Sequence, residues 1–306
     1  MLDRIARANL PPYRALGADG ARTLYRETRG ALAAPPPEVA RVANLRAPGP
    51  AGDIPVRLYR PLGAAAADRL PALVYFHGGG WTIGDLDTHD VVCRTLADLA
   101  PCAVVSVDYR LAPEHKFPAA VDDAIAATRW VARAGGELGI DGGRIAVGGD
   151  SAGGNLAAVA ALLARDEGGP RLALQTLIYP ATDMAADTAS HLRYAEGHLL
   201  TREAILWFRA NYLRDAADEA DWRASPLKAA DLSRLPPAYV ITAGFDPLVD
   251  EGRAYADRLA AAGVPVTYEC FEGMVHGFVT MGGAIAAARH ALGRCAQGLR
   301  RAFDGR

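Results

Sequence analysis

The stretch Gly149-Asp150-Ser151-Ala152-Gly153 decides how the rest of the chain is read. A strand-like run at 144–147 leads into it and an alanine-rich helical run at 152–165 follows. A chain that passes so abruptly from strand to helix holds the serine outward, at a helix N-terminus. It needs glycine two positions either side, because a Cβ there would meet the neighbouring strand or helix. A serine N-cap in a glycine-rich turn has the same local signature. The motif by itself therefore leaves a nucleophile and an ordinary cap both open.

Outward from that turn, apolar runs alternate with longer helical stretches. Strands are predicted at 42–46, 55–60, 72–76, 103–107, 144–147, 173–178, 238–242 and 264–271, with a turn at Pro50, Gly52 and Asp53. The unbroken apolar run 72–76 suits a central parallel strand buried on both faces. Helices are predicted at 88–99, 119–134, 152–165, 249–262 and 284–303. Five such alternations imply right-handed crossovers and an α/β fold with a mostly parallel sheet covered on both faces. Two stretches break the pattern: residues 1–38, which end in Ala34-Pro35-Pro36-Pro37, and residues 184–231, which contain an amphipathic segment at 201–213. A long excursion between core strands reads as a lid over a site or as an oligomer contact.

His77-Gly78-Gly79-Gly80-Trp81 directly follows the buried strand 72–76. Three successive glycines leave peptide N–H groups free to face a developing negative charge. Neither G-x-G-x-x-G before a helix nor G-x-x-x-x-G-K-[ST] is present, which removes the usual phosphate-cradling readings. Of seven histidines, His276 in Gly273-Met274-Val275-His276-Gly277-Phe278 lies beyond the last strand, at the sheet edge where such folds bind ligands. His77 is expected to orient the glycine loop, and His89, His115, His191, His198 and His290 to be surface or structural. Asp246, after strand 238–242, can fix the tautomer of His276, although Asp246-Pro247 is also an N-cap signature. Asp250 and Glu251, one turn later, are expected to serve the helix dipole. Asp108 and Arg110 are expected to form a buried pair.

Composition narrows the class. The 306 residues are 51% hydrophobic and 22% charged with a net charge of -2, a globular profile without the basic surface that a nucleic-acid binder needs. Charges interrupt the apolar residues of the first twenty positions, so a cytoplasmic chain without a signal peptide is expected. No window approaches a membrane span. Cys93, Cys102, Cys270 and Cys295 fall at no metal-ligand spacing and read as reduced, buried, small apolar residues.

The chain order Ser151, Asp246, His276 is that of α/β-hydrolases. The blocks 77–81, 109–122, 149–155, 246–252 and 273–278 closely resemble the hormone-sensitive-lipase-like family of bacterial carboxylesterases. The resemblance implies an α/β-hydrolase fold with an eight-stranded, mostly parallel sheet flanked by helices, and a helical cap. The cap would comprise residues 1–40 and 184–231, and the core residues 41–183 and 232–306. It also implies hydrolysis of small carboxylic esters by Ser151, Asp246 and His276, with an oxyanion held by Gly78, Gly79 and Ala152, no metal or cofactor, and often a homodimer. Trp207, Phe208 and Tyr212, on one amphipathic helix, would join Trp81 in roofing an apolar pocket for short to medium acyl chains, or would merely pack the lid onto the core. An amidase with the same triad and a ligand-binding protein on a catalytically dead scaffold are the rival readings. The second usually lacks the base, which is present here.

Overall fold

The computed structural model describes residues 2, 7, 10–65 and 67–305. The parts of the expected 1–40 cap segment and 232–306 core segment that fall on residues 1, 3–6, 8, 9 and 306 lie outside the described residues, as does one position of the surface loop 63–69. Eight strands form one sheet: β1 (Arg41–Gly49), β2 (Gly52–Arg60), β3 (Leu70–Phe76), β4 (Ala103–Val107), β5 (Ile140–Asp150), β6 (Leu172–Ile178), β7 (Ala238–Phe245) and β8 (Val266–Val275). Their order is β1-β2-β4-β3-β5-β6-β7-β8. β1 and β2 form a hairpin, β2 joins β4 antiparallel, and the other neighbours are parallel.

Period-2 alternation divides the core between the two faces. Ala72, Val74 and Phe76 of β3 point to one side, beneath α3 (Ala119–Leu138), α4 (Ala152–Asp166) and α7 (Val249–Ala261). Leu73 and Tyr75 point to the other, beneath α2 (Asp90–Leu99) and α8 (Ala286–Phe303). α4 is buried along almost its whole length, and its alanines let it lie close over β3, β5 and β6. Away from the sheet, α1 (Tyr13–Leu32), broken at Gly17 where φ is 65°, meets α6 (Arg202–Tyr212) in a small cluster of Ala21, Tyr25, Ile83 and Phe208. α5 (Ala189–Arg193) is a short helix on the way to α6.

The elements fall where expected, with longer ends. β5 runs from Ile140 and β8 to Val275, because ladder pairing continues past the apolar runs through irregular register. α3 continues to Leu138 and stops at Gly139, whose φ of 69° gives the left-handed cap. α2 begins at Asp90, after a turn in which the Asp85 carboxylate accepts the N–H groups of Asp87 and Thr88. Cys93, Cys102 and Cys295 are fully buried, but Cys270 is only half-buried because β8 is an edge strand.

The expected Asp108–Arg110 pair does not form. The Arg110 guanidinium forks onto Asp123 at 2.8 and 3.1 Å, and the Arg110 backbone N–H donates to the same carboxylate. α3 supplies an acid that lies fully inside, which sequence proximity gave no means of choosing. Asp108 is left with burial and the nearby Asp85 and Asp87 charges, which push its pKa up to about 6. A raised carboxyl pKa opposes folding once pH exceeds the unfolded value of 3.8. Asp123→Ala, which strands the Arg110 charge, is expected to lower the unfolding free energy by about 3 kcal/mol in urea titrations. Asp108→Asn should raise stability at pH 8 while changing it little near pH 4. The reverse ranking would assign the structural role to Asp108.

Candidate active site

Four loops at the carboxyl ends of the parallel strands converge. β5 ends at Asp150 and α4 starts at Ala152, leaving Ser151 alone on the corner with φ 56° and ψ -118°. A non-glycine residue reaches that conformation only under strain, and the surroundings hold it there. The Ser151 N–H donates to Ile178 O at 2.9 Å, and Ser151 O accepts from Asn155 N at 3.0 Å. A Cβ on Gly149 or Gly153 would strike the Phe76 carbonyl of β3, so the turn can press against the sheet only with glycine at both places.

β7 ends at Phe245, followed by Asp246, and β8 ends at Val275, followed by His276. Phe245 and Val275 are register partners, which sets the two side chains next to each other. His276 Nδ1 lies 2.6 Å from Asp246 Oδ2, and His276 Nε2 lies 2.8 Å from Ser151 Oγ. Asp246 is fully buried, and its second oxygen accepts the Leu248 N–H at 2.9 Å, so it closes the turn leading into α7, whose N-cap is Leu248, and faces the histidine at once. Asp250 turns away and accepts the Ser190 N–H. The structure thus brings together the three residues that the sequence selected, with the hydrogen-bonding order that acyl transfer requires.

The glycine loop departs from expectation in one respect. The Gly78 N–H points not at the serine but at Asp150 Oδ1, 2.9 Å away, and near His89 Nε2. Gly79, Gly80 and Ala152 have N–H groups without a hydrogen-bond partner among the described residues, and Gly79 and Gly80 line the cavity beside Ser151. Gly80 therefore replaces Gly78 as a donor available to an oxyanion. What sequence reasoning missed is the reason: Asp150 is buried and collects the Tyr75 hydroxyl, the Gly78 N–H and His89. Burial alone would raise its pKa, but the His89 charge and these hydrogen bonds prevail and hold it at about 2. His77 stacks on Tyr109 at 4.3 Å, and the Tyr109 hydroxyl donates to the His77 carbonyl, so the loop is also braced from behind. Burial, with His89 alongside, depresses the His77 pKa to about 4.

The expected roof divides into separate tasks. Trp81 and Phe208 line the inner cavity of about 120 Å3 that holds Ser151 and His276. Tyr212 does not reach it: fully buried, it stacks on Trp81 at 4.4 Å with rings 6° from parallel. Trp207 faces a separate outer chamber of about 880 Å3, bounded also by Leu10, Pro12, Leu24 and Leu32. Phe208 packs so closely on Gly80 that a Cβ there would enter its ring. Further wall residues come from places the sequence left silent, namely Tyr13, Tyr25 and Arg29 of α1 and Leu199 and Leu200 before α6. Glu251, expected to serve only its helix, is fully buried and also lines this cavity. Burial lifts its pKa to about 8 against the opposing pull of the Thr182 N–H and Arg209. His89 and His191 are buried structural histidines, as their sequence settings suggested.

Removing the Asp150 carboxylate strands three donors and frees the glycine loop. Asp150→Ala is expected to reduce kcat by about 10-fold to 100-fold with a smaller change in KM. Because its folded pKa lies below the ordinary 3.8, its contribution to stability is complete above that pH and fades as pH falls toward 2. Acid-unfolding curves of Asp150→Asn should accordingly be flatter over that interval than those of the unaltered chain.

A family model described as alpha/beta hydrolase fold matches residues 73–280. The carboxylic ester hydrolase LipN of Mycobacterium tuberculosis is 53% identical over 82% of this chain and 68% of its own length. The esterase LipI of the same organism is 45% identical over 96% of this chain and 92% of its own. A crystal structure of an alpha/beta hydrolase enzyme from the metagenome of Lake Arreo, Spain, superposes with a TM-score of 0.94 at 46% identity, covering 99% of this chain and 95% of that one. The chain therefore belongs to the α/β-hydrolase-fold family, among its carboxylesterases.

Proposed function

We propose that this carboxylic ester hydrolase works through Ser151, Asp246 and His276, by a covalent acyl-enzyme, on small esters with short to medium acyl chains. The observation that carries the reading is the 2.8 Å approach of His276 Nε2 to a serine held on a strained corner, with Asp246 at 2.6 Å on the far side of the ring. Neutral His276 takes the Ser151 proton as Oγ attacks the ester carbon, and Asp246 stabilises the imidazolium. The N–H groups of Gly79, Gly80 and Ala152 hold the negative oxygen. His276 then protonates the departing alcohol, and a water activated by the same ring releases the acid. The cap assignment, residues 1–40 with 184–231, belongs to this reading and is supported by the meeting of α1 and α6 around Tyr25 and Phe208.

The acyl limit rests on cavity size. At about 0.8 kcal/mol per buried methylene, each added carbon improves binding until the space beside Ser151 is full. Trp81, Ile83, Ile205 and Phe208 then stand in the way. No helix among the described residues is long and apolar enough to cross a membrane. A cytoplasmic place and a homodimer are carried in the proposal as well, the latter on the strength of the family resemblance.

Ser151→Ala is expected to lose nitrophenyl butyrate turnover by about 10^3-fold or more while unfolding at the same temperature. Asp246→Asn should lose far more than Asp250→Asn. Retained turnover without Ser151 would remove the proposed nucleophile.

In a series of nitrophenyl esters from acetate to palmitate, kcat/KM should peak at short to medium length, and Phe208→Ala should move the peak to longer chains. A rise unbroken to palmitate would sink the closed-pocket reading.

A further inference from the structure

Arg29 is a charged side chain of the inner cavity whose chemistry the hydrolytic reading leaves unused. It projects from α1 into the wall that also contains His276 and Gly277, and the same residue borders the outer chamber. Its guanidinium is confined: Cζ lies 4.9 Å from the centre of the Tyr25 ring, and Nη2 lies 3.1 Å from the point a Cβ on Gly277 would occupy. Nε is buried with no hydrogen-bond partner, and no carboxylate forms an ion pair with Arg29 among the described residues. The neighbouring cation differs. Arg209, also in the wall, donates to the carbonyls of Asp183 and Ala186 and has Glu251 and Asp183 nearby.

A half-buried guanidinium whose Nε is shut away from solvent, with no anion beside it, is costly to hold, and its planar fork matches a carboxylate bidentately. The acids of the same cavity have other partners. Asp150 is held by Tyr75, Gly78 and His89, Asp183 pairs with Lys228, and Glu251 accepts the Thr182 N–H with Arg209 nearby. Apolar surface supplies most of the remaining wall, including Trp81, Ile83, Met184 and Phe208, so it offers Arg29 no counter-charge. The missing partner has to arrive with the substrate.

We propose that Arg29 is a specificity-determining anchor for a carboxylate on the ester substrate, so that the preferred substrates are esters with one anionic arm, such as half-esters of dicarboxylic acids. The position of Arg29 between the inner cavity and the outer chamber directs that arm toward the chamber. This deepens the esterase reading and rests on it for the identity of the reacting bond.

Two matched pairs of probes test the proposal and locate the arm. Mono-4-nitrophenyl glutarate against 4-nitrophenyl valerate places the charge on the acyl side, and 4-acetoxybutanoate against butyl acetate places it on the alcohol side. The unaltered enzyme should favour the anionic member of at least one pair in kcat/KM by about 10-fold or more, mainly through KM, as expected for a charge-assisted hydrogen bond. Arg29→Gln should abolish that ratio and Arg29→Lys should keep part of it. Added salt should lower the ratio. Titration calorimetry of glutarate into Ser151→Ala, and into the same variant carrying Arg29→Gln, reads the anchor without turnover. Loss of glutarate affinity by about 10-fold or more in the double variant supports the proposal. Equal affinity of the two, or a substrate ratio that Arg29→Gln leaves unchanged, overturns it and assigns Arg29 to packing beside Tyr25 and against Gly277. Failure of all four esters to react would instead strike the esterase reading, with the calorimetric comparison still deciding the anchor.

Discussion

The constraint on which the molecule depends is the placement of one residue, Ser151, in a backbone conformation that it would not choose. Strain of this kind persists only when its surroundings over-determine it. Here β5 fixes the entry, α4 fixes the exit, and β6 receives the serine N–H at Ile178. The carbonyl of Phe76 crowds both flanking glycines, so β3 sets how near the turn can lie. β3, β5 and β6 are adjacent central strands with fully buried apolar faces. Buried core strands thus lie directly beneath the strained residue, where they resist its relaxation.

Asp150 carries that rigidity sideways. Its carboxylate joins Tyr75 of β3, the N–H of Gly78 in the glycine loop and His89 just before α2, so the serine turn and that loop share a single buried anion. An acid is effective here because low dielectric strengthens each bond that it accepts. Its low pKa means that the network stays charged throughout the range in which a neutral imidazole base can function. The loop glycines that remain unpaired are those able to face the reacting centre.

Much of this was legible in the sequence because the relevant signals are local. Glycines flanking a serine, three glycines after an apolar strand, and acid and base just past the ends of later strands each report a backbone need at their own position. The fold followed from the alternation of runs, with strand ends displaced where ladder pairing outlasted apolar character, as at Val275. The errors were non-local. Choosing Asp123 over Asp108 for Arg110 requires knowing that α3 folds back over the loop after β4. Assigning the Gly78 N–H requires knowing where Asp150 points. Tyr212 and Phe208, four residues apart on α6, look equivalent on a helical wheel, yet one supports Trp81 from behind and the other enters the cavity. The individual wall residues of α1 could not be picked out, since residues 13–32, assigned to a cap only by the family resemblance, contain none of the motifs by which a wall is recognised.

α1 reaches the site through charge. Arg22 donates to the carbonyls of Thr82 and Ala112 and pairs with Glu114, while Arg26 pairs with Asp85. Both arginines thereby fasten the helix to the segment just after the glycine loop, and Arg22 fastens it also to the loop after β4. One further turn along the same helix, Arg29 meets the cavity and finds no acid. Three arginines spaced by three and four residues lie along one helical face, so the same geometry that anchors α1 by two of them delivers the third to the neighbourhood of His276. The helix that lines one side of the pocket therefore also contributes a charge to it. Selectivity among esters is accordingly expected to vary with α1 while the sheet and its strained serine stay the same.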